Sequence, residues 1–402
     1  MHRSFTDEIG NQELVAAAAL IIVAFLQIAV GLWGALFFFS RLRPLSSIRP
    51  ANASLILPLT GQAAGLERLL KALDRQTLTP RRLIVSVESQ RDPAYRRAES
   101  LAQGWSFPIE IVIAEQASHC AQKCANLIAA LRRIDAHDEA IVLLDADILP
   151  PKWWLSELVA PLLDGKWDLV NGYRWPTVAA PTVGAHVDAS IERTIALLPR
   201  PRGLNAVWGG SLALSPQALE TLEPERILAD TLSDDCTIGK QAGAHGLRVL
   251  TRRVLLVPTP MAGQLLPIWR FGRRQYQILH TYLPALWWLA FGVLSTQLAA
   301  WGILLAHLDH AEVRLAISAL IIAAVAGCLI QAGVARRLGF PDTASAQLVQ
   351  CLLALFKPVV HLFHWTMVMA AIATRDVRWG HVSYRVLGPN NVTVRRRDPW
   401  KS

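Results

Sequence analysis

Two hydrophobic rhythms alternate along this chain. Leu14 to Ser40, Leu283 to Ala306 and Leu315 to Ala335 are apolar runs without a single charge. Each exceeds the roughly 20 residues that a helix needs to cross a bilayer. A fourth stretch, Leu348 to Ala373, is apolar but interrupted by Lys357, Pro358, His361 and His364. Between the first run and the others, residues 50 to 265 follow a shorter rhythm. Ser54–Leu59 is a β-rich run, followed by Leu66, Leu69, Leu70 and Leu73 at helical spacing. The pattern repeats as strand Leu83–Val87 and helix Pro93–Gln103, strand Ile109–Ala114 and helix Lys123–Ile134, then strand Ile141–Leu144 and helix Trp153–Leu163. This βαβα order predicts an α/β, mainly parallel, doubly wound sheet, whose ligands bind beyond the carboxyl ends of the strands.

The expected organisation is therefore a transmembrane anchor with a basic flank over 1–49, a cytosolic α/β domain over 50–265 and an amphipathic interfacial helix over 266–282. Membrane helices over 283–374 and a basic cytosolic tail over 375–402 complete it. The first apolar run is longer than the roughly 7–15-residue core of a signal peptide and lacks a small-residue cleavage site, so it reads as an uncleaved anchor. Arg3 precedes it; Arg41, Arg43 and Arg49 follow it, which places the chain from 41 onward in the cytosol.

The fourth stretch sets two rules against each other. As a full span it would send the tail outside, yet Arg375, Arg378, Arg385, Arg395, Arg396, Arg397 and Lys401 favour the cytosol. A lysine at the bilayer centre costs about 2.5–3.5 kcal/mol, and Pro358 breaks the helix there. We expect a re-entrant or interfacial hairpin at 348–373 and a tail that docks on the 50–265 domain through Trp379 and Tyr384. The rival is an ordinary fourth span.

Composition agrees with a membrane protein. Of 402 residues, 52% are hydrophobic and only 18% charged, against a soluble average of about 25%, and mean hydropathy is +0.31. The five cysteines form no disulfide framework; Cys120 and Cys124 read as core or helix-face thiols, because no second pair completes a zinc site. The net charge of +9 suits anionic headgroups or a phosphorylated substrate, and no nucleic-acid motif accompanies it.

The segment "EAIVLLDADILPP" carries the first chemical signal. Asp145 and Asp147 follow a buried-strand pattern, and like charges that close cost free energy unless a cation sits between them. Carboxylates at i and i+2 of a strand end can share one hard cation such as Mg²⁺ or Mn²⁺, with phosphate and water completing its shell. A solvated surface turn is the bland alternative. Glu88 and Asp92 fall at the end of the second strand. A second acidic pair, Asp234-Asp235, opens a helical pattern, where carboxylates suit the positive end of the dipole; the functional reading is a general base facing the same cleft. "WRFGRRQYQILHTYLP" is either a snorkelling interfacial helix or a guanidinium cluster for a diphosphate.

In this order the pieces resemble a family 2 type glycosyltransferase, more narrowly the ceramide glucosyltransferase group, including the hopanoid-biosynthesis glycosyltransferases. The resemblance runs from the first anchor to the tail. Asp92-Pro93-Ala94 matches the group's early aspartate. Lys123, Asn126 and Leu127 match Lys-x-x-Asn-Leu, and Asp145 and Asp147 its D-x-D. Gly209-Gly210-Ser211 matches a Gly-x-Ser element on the acceptor side. Asp234-Asp235 matches the acidic pair whose second member is the catalytic base, and "VRWGHVSYRV" the Trp-x-x-x-x-Tyr-Arg tail. One departure stands out. The (Gln/Arg)-x-x-Arg-Trp motif is incomplete: Arg270 and Arg273 fit one register with Arg274 in place of Trp, and Arg274 followed by Gln275 fits another.

The resemblance implies a GT-A type fold and transfer from a UDP-sugar to a membrane lipid hydroxyl at the cytoplasmic face. Asp147 with Asp145 would hold Mg²⁺ or Mn²⁺. Asp92, Glu88, Lys123 and Asn126 would lie on the nucleotide side, Arg270, Arg273 or Arg274 on the phosphates, and Asp235 would act as base. A polyprenyl-phosphate glycosyltransferase, a processive polysaccharide synthase and a non-catalytic nucleotide-binding membrane scaffold remain as alternatives.

Overall fold

The computed structural model describes residues 2–40, 42, 49–200 and 206–400, with 2–14 as backbone only. Arg41, Arg43 and Lys401, invoked above for orientation, lie outside the described residues.

A helix, α1 (His2–Ser40), precedes the α/β domain. That domain then runs β1 (Ala53–Pro58), α2 (Leu66–Leu73), β2 (Arg82–Val87), α3 (Pro93–Ser100), β3 (Ile109–Ile113), α4 (Gln122–Leu131), β4 (Ala140–Leu144) and α5 (Trp154–Leu163). Helices α3 and α4 stop short of the expected Gln103 and Ile134, and Trp153 is the N-cap of α5 rather than its first residue. The second half contributes β5 (Leu169–Val178), α6 (Val183–Ala196), β6 (Ser211–Leu214), α7 (Pro216–Leu222), α8 (Pro224–Ile227), α9 (Asp234–Ala244) and β7 (Val249–Met261). The seven strands lie in the order β3-β2-β1-β4-β6-β5-β7. All neighbours are parallel except β6, which runs antiparallel to both β4 and β5.

Alternation along the strands builds two cores. Ile56, Ile84, Ile141 and Leu143 face α4 and α7 to α9 on one side. Leu55, Leu57, Leu83, Val85, Val142 and Leu144 face α2 and α5 on the other. Cys120 and Cys124 are free thiols buried in the first core. Because β6 is reversed, its entry loop lies beside the exit of β4. That reversal brings Gly209-Gly210 to the D-x-D.

Helix α10 (Leu265–Tyr282) leads to α11 (Pro284–Ala306), α12 (Ala311–Arg337), α13 (Ala344–Leu355) and α14 (Lys357–Ala370). Val15–Ser40 of α1, α11 and α12 are long and apolar enough to cross a membrane. They form one bundle: Gln297 donates to the Ala24 carbonyl at 3.0 Å and to Gln27 at 2.8 Å, and Trp301, Leu304 and Leu320 pack with Ile21, Phe25 and Ile28. Helices α13 and α14 meet at Phe356 with a bend of 85°, at the Lys357-Pro358 break.

The basic tail hides a sheet. Strands β8 (Asp376–Trp379), β9 (Val382–Gly388) and β10 (Asn391–Arg397) are antiparallel in the order β10-β9-β8. Val377, Val382, Tyr384, Val386 and Val392 alternate with the arginines and join the α4-side core. Burying that valine face is what ties the tail to the catalytic domain.

Candidate active site

The D-x-D leaves β4 at its carboxyl end, where the sheet opens. Lys123, in the first turn of α4, places its ammonium 2.9 Å from Asp145 and 3.2 Å from Asp234. One cation thus ties the D-x-D to the acidic pair at the start of α9. Asp234 is 1% exposed, and burial, countered by Lys123 but reinforced by Asp235 and Asp145, pushes it up to about 6. Asp235 is less enclosed. Its Oδ1 accepts the Ser233 hydroxyl at 2.5 Å and the Cys236 N–H at 2.7 Å; among the described residues its Oδ2 has only a long contact, 3.4 Å, from the Gly209 N–H.

The two glycines have a reason. A Cβ on Gly209 would lie 2.5 Å from Asp234 Oδ2, and one on Gly210 would lie 2.7 Å from Asp145 Oδ2 and overlap the Trp208 ring. Only bare backbone lets both carboxylates close in. Asp147 has no side-chain partner among the described residues, and its carboxyl is raised by burial and by Asp145, with Arg174 opposing.

Of the three arginines on α10, Arg274 reaches this centre: its charge is felt by Asp145 and Asp147. Arg270 is exposed, and Arg273 lies 6.0 Å from the Trp269 ring with its Nε buried. Three other expected site residues are engaged within the fold. Glu88 is 2% exposed and held by the tail: its Oε1 accepts from Arg397 at 2.7 Å, while its Oε2 lies 3.0 Å from His381 without a hydrogen bond. Asn126, also buried, spends its amide on the Leu59 and Ser86 carbonyls and so braces the β1 and β2 exits. The Ser211 hydroxyl, buried inside β6, accepts the Trp154 indole N–H at 2.8 Å. Asp92 caps α3: its Oδ1 accepts the N–H groups of Ala94 and Gly61, while Oδ2 is buried without a partner.

Two residues of the centre escaped the sequence reading. Arg174 sits in the buried strand β5, 3.3 Å from Asp188 and 4.6 Å from the Phe271 ring. A lone arginine in "LVNGYRWPTV" was the available signal. Trp379, expected to dock the tail, packs against the α4-side core and also stands against Arg274 and Lys123, at 4.9 and 6.0 Å from ring centroid to charge.

The glycosyl transferase family 21 model matches residues 16–391. The chain belongs to that family. Glycosyltransferase activity follows from membership, and the ceramide glucosyltransferase resemblance points the same way. No curated protein matches the chain. Among solved structures, it is similar to the mannosyltransferase PcManGT from Pyrobaculum calidifontis in complex with GDP-Man and Mn²⁺, with 20% identity over 89% of this chain and 96% of that one and a TM-score of 0.47. It is also similar to glucosyl-3-phosphoglycerate synthase from Mycobacterium tuberculosis, with 17% identity over 57% of this chain and 79% of that one and a TM-score of 0.37. Within the family 21 chain, the D-x-D, the acidic pair, Lys123 and Arg274 are the groups gathered at one opening of the sheet.

Proposed function

We propose that this family 21 enzyme moves a sugar from a UDP-sugar to the hydroxyl of a ceramide- or hopanoid-like membrane lipid at the cytoplasmic face. The observation that carries the reading is Lys123, whose two contacts put the D-x-D and the acidic pair into one cluster. The residues fit a hard divalent cation. Asp145 and Asp147 offer oxygen donors, Asp147 is unpaired, and no group of three or more His, Cys, Asp or Glu among the described residues would complete a protein cage. Phosphate oxygens and water would fill such a shell. Mg²⁺ or Mn²⁺ bound there supplies Lewis-acid neutralisation of the leaving diphosphate.

The chain's own groups do the rest. Asp235, with one lightly engaged oxygen, takes the proton from the acceptor hydroxyl as it attacks the anomeric carbon. Lys123 and Arg274 offset the charge of the departing diphosphate, and the single displacement inverts the anomeric centre. Helices α1, α11 and α12 hold the opening at the bilayer, where a lipid hydroxyl is delivered. The test is incubation of purified protein with a panel of UDP-sugars and membrane lipid extracts, with and without chelator, read by mass spectrometry. A glycolipid formed only with metal supports the reading; donor turnover onto soluble acceptors alone removes the lipid, and turnover undiminished in chelator removes the metal.

A further inference from the structure

Two cations beside the aspartates come from helices about 150 residues apart, yet both stand against one indole. The Arg274 guanidinium lies 4.9 Å from the Trp379 ring centroid and 5.3 Å from that of Phe271; the Lys123 ammonium lies 6.0 Å from Trp379. Arg274 makes no ion pair among the described residues, and its Nε is buried without a hydrogen-bond partner. Burial first, then the nearby Arg174, brings it down to about 10. Aromatic faces are what hold this guanidinium. The residue after it, Gln275, is exposed, so the aromatic that α10 itself supplies to Arg274 is Phe271.

The position of Trp379 is itself fixed. It ends β8 at a turn whose Gly380 has φ +60°, a conformation L side chains rarely adopt. A Cβ on Gly380 would sit 3.7 Å from Thr60, in the loop leaving β1. Next along the turn, His381 lies 3.0 Å from Glu88 at the β2 exit. The β8–β9 turn therefore packs against the exits of β1 and β2.

We infer that Trp379 is a positioning residue of the donor site. Its π face aims Arg274 and Lys123 at the space over Asp145 and Asp147, where they receive the diphosphate of a nucleotide, and its turn walls that pocket. The inference rests on the glycosyltransfer reading and adds a residue and a substrate contact surface to it.

The test titrates UDP with Mn²⁺ against full-length protein in detergent, without acceptor, for wild type, Trp379→Phe and Trp379→Leu. Phe keeps a π face; Leu keeps apolar bulk without one. Leu should weaken UDP binding by roughly ten- to thirty-fold, the scale of a desolvated cation–π contact, while Phe stays within about threefold of wild type. In turnover the Leu loss should fall on donor KM rather than kcat. Wild-type affinity in the Leu variant, or Phe as weak as Leu, overturns the role of the ring while leaving glycosyltransfer intact. Wild-type protein that binds no UDP overturns both.

Discussion

The phenol of Tyr384 accepts the backbone N–H of Gln122 at 3.0 Å, one residue ahead of Lys123. The tail thereby holds the first turn of α4, the turn that aims the ammonium at Asp145 and Asp234. Tyr384 is 1% exposed, so removing its oxygen leaves a buried donor unmet, at a cost of about 1–3 kcal/mol. We predict that Tyr384→Phe lowers the thermal midpoint and raises donor KM several-fold with a smaller change in kcat. Calorimetry and donor titration on the same preparation check both. An unchanged donor KM would detach the tail from the site.

Asp235→Asn should leave donor binding near wild type and lower kcat by roughly 10²–10⁴-fold, the scale of one general base. Asn keeps the size of the side chain and can still accept from Cys236 and Ser233, so the helix start survives. Binding of UDP and single-turnover transfer separate the two effects. Near-normal turnover would reduce Asp235 to a helix-end carboxylate.

Asp234 makes a pH prediction. Its carboxyl, up at about 6 in the folded chain, lies above the roughly 3.9 of an unfolded aspartate. Between those values the folded state holds a proton that the unfolded state has lost, so wild-type stability falls as pH rises from about 4 to about 6, and the cost is full above 6. Asp234→Asn removes that titration. The variant should gain stability relative to wild type above pH 6, with the gap closing towards pH 4, while losing activity because Lys123 loses an anchor. Thermal midpoints of both proteins across pH 4–8 decide it; a gap independent of pH refutes the assignment.

Gly210→Ala should abolish metal-supported UDP binding without unfolding the sheet. The new Cβ would meet Asp145 Oδ2 at 2.7 Å, and either that carboxylate or Trp208 must move. Isothermal titration of UDP with and without Mn²⁺ reads the loss. Retained metal-dependent binding would show that Asp145 can shift without consequence.

Legibility followed the physics of each residue. Asp145 and Asp147 could be read because a charged pair after an apolar strand has few explanations, and Asp234-Asp235 because it opens a helix. Arg174 could not, since a buried ion pair with Asp188 depends on α6 folding back across β5. Asn126 misled: a polar residue on a buried helix face serves a ligand or two backbone carbonyls equally well, and sequence does not choose. The tail sheet was masked by the tail's six arginines, three of them consecutive at 395–397, which read as solvated charge. The antiparallel β6 is only four residues long and follows two glycines, too short for a periodic signal. The arginine motif offered two registers by spacing alone; the helical phase of α10 brings Arg274 to the aspartates and leaves Arg270 exposed.

The bend at Phe356 settles into a topological prediction when combined with the tail. Starting from the catalytic domain, α11 and α12 cross out and back, so residue 338 returns to the domain's side of the membrane. The tail then packs on that same domain, through Tyr384 with Gln122 and Arg397 with Glu88. A single full crossing by 344–370 would place it on the opposite side. At about 1.5 Å per residue, α13 and α14 are about 18 and 21 Å long, and neither alone spans a core of roughly 30 Å. An 85° bend between two short legs fits a chain that dips in and leaves by the same face. We predict that Thr393→Cys and Ser100→Cys, each in a cysteine-free background, are protected together from an impermeant thiol reagent in intact cells, while Asp309→Cys, in the turn between α11 and α12, is labelled. Labelling of the residue 393 site alongside the residue 309 site would make 344–370 a fourth span and detach the tail from the catalytic domain.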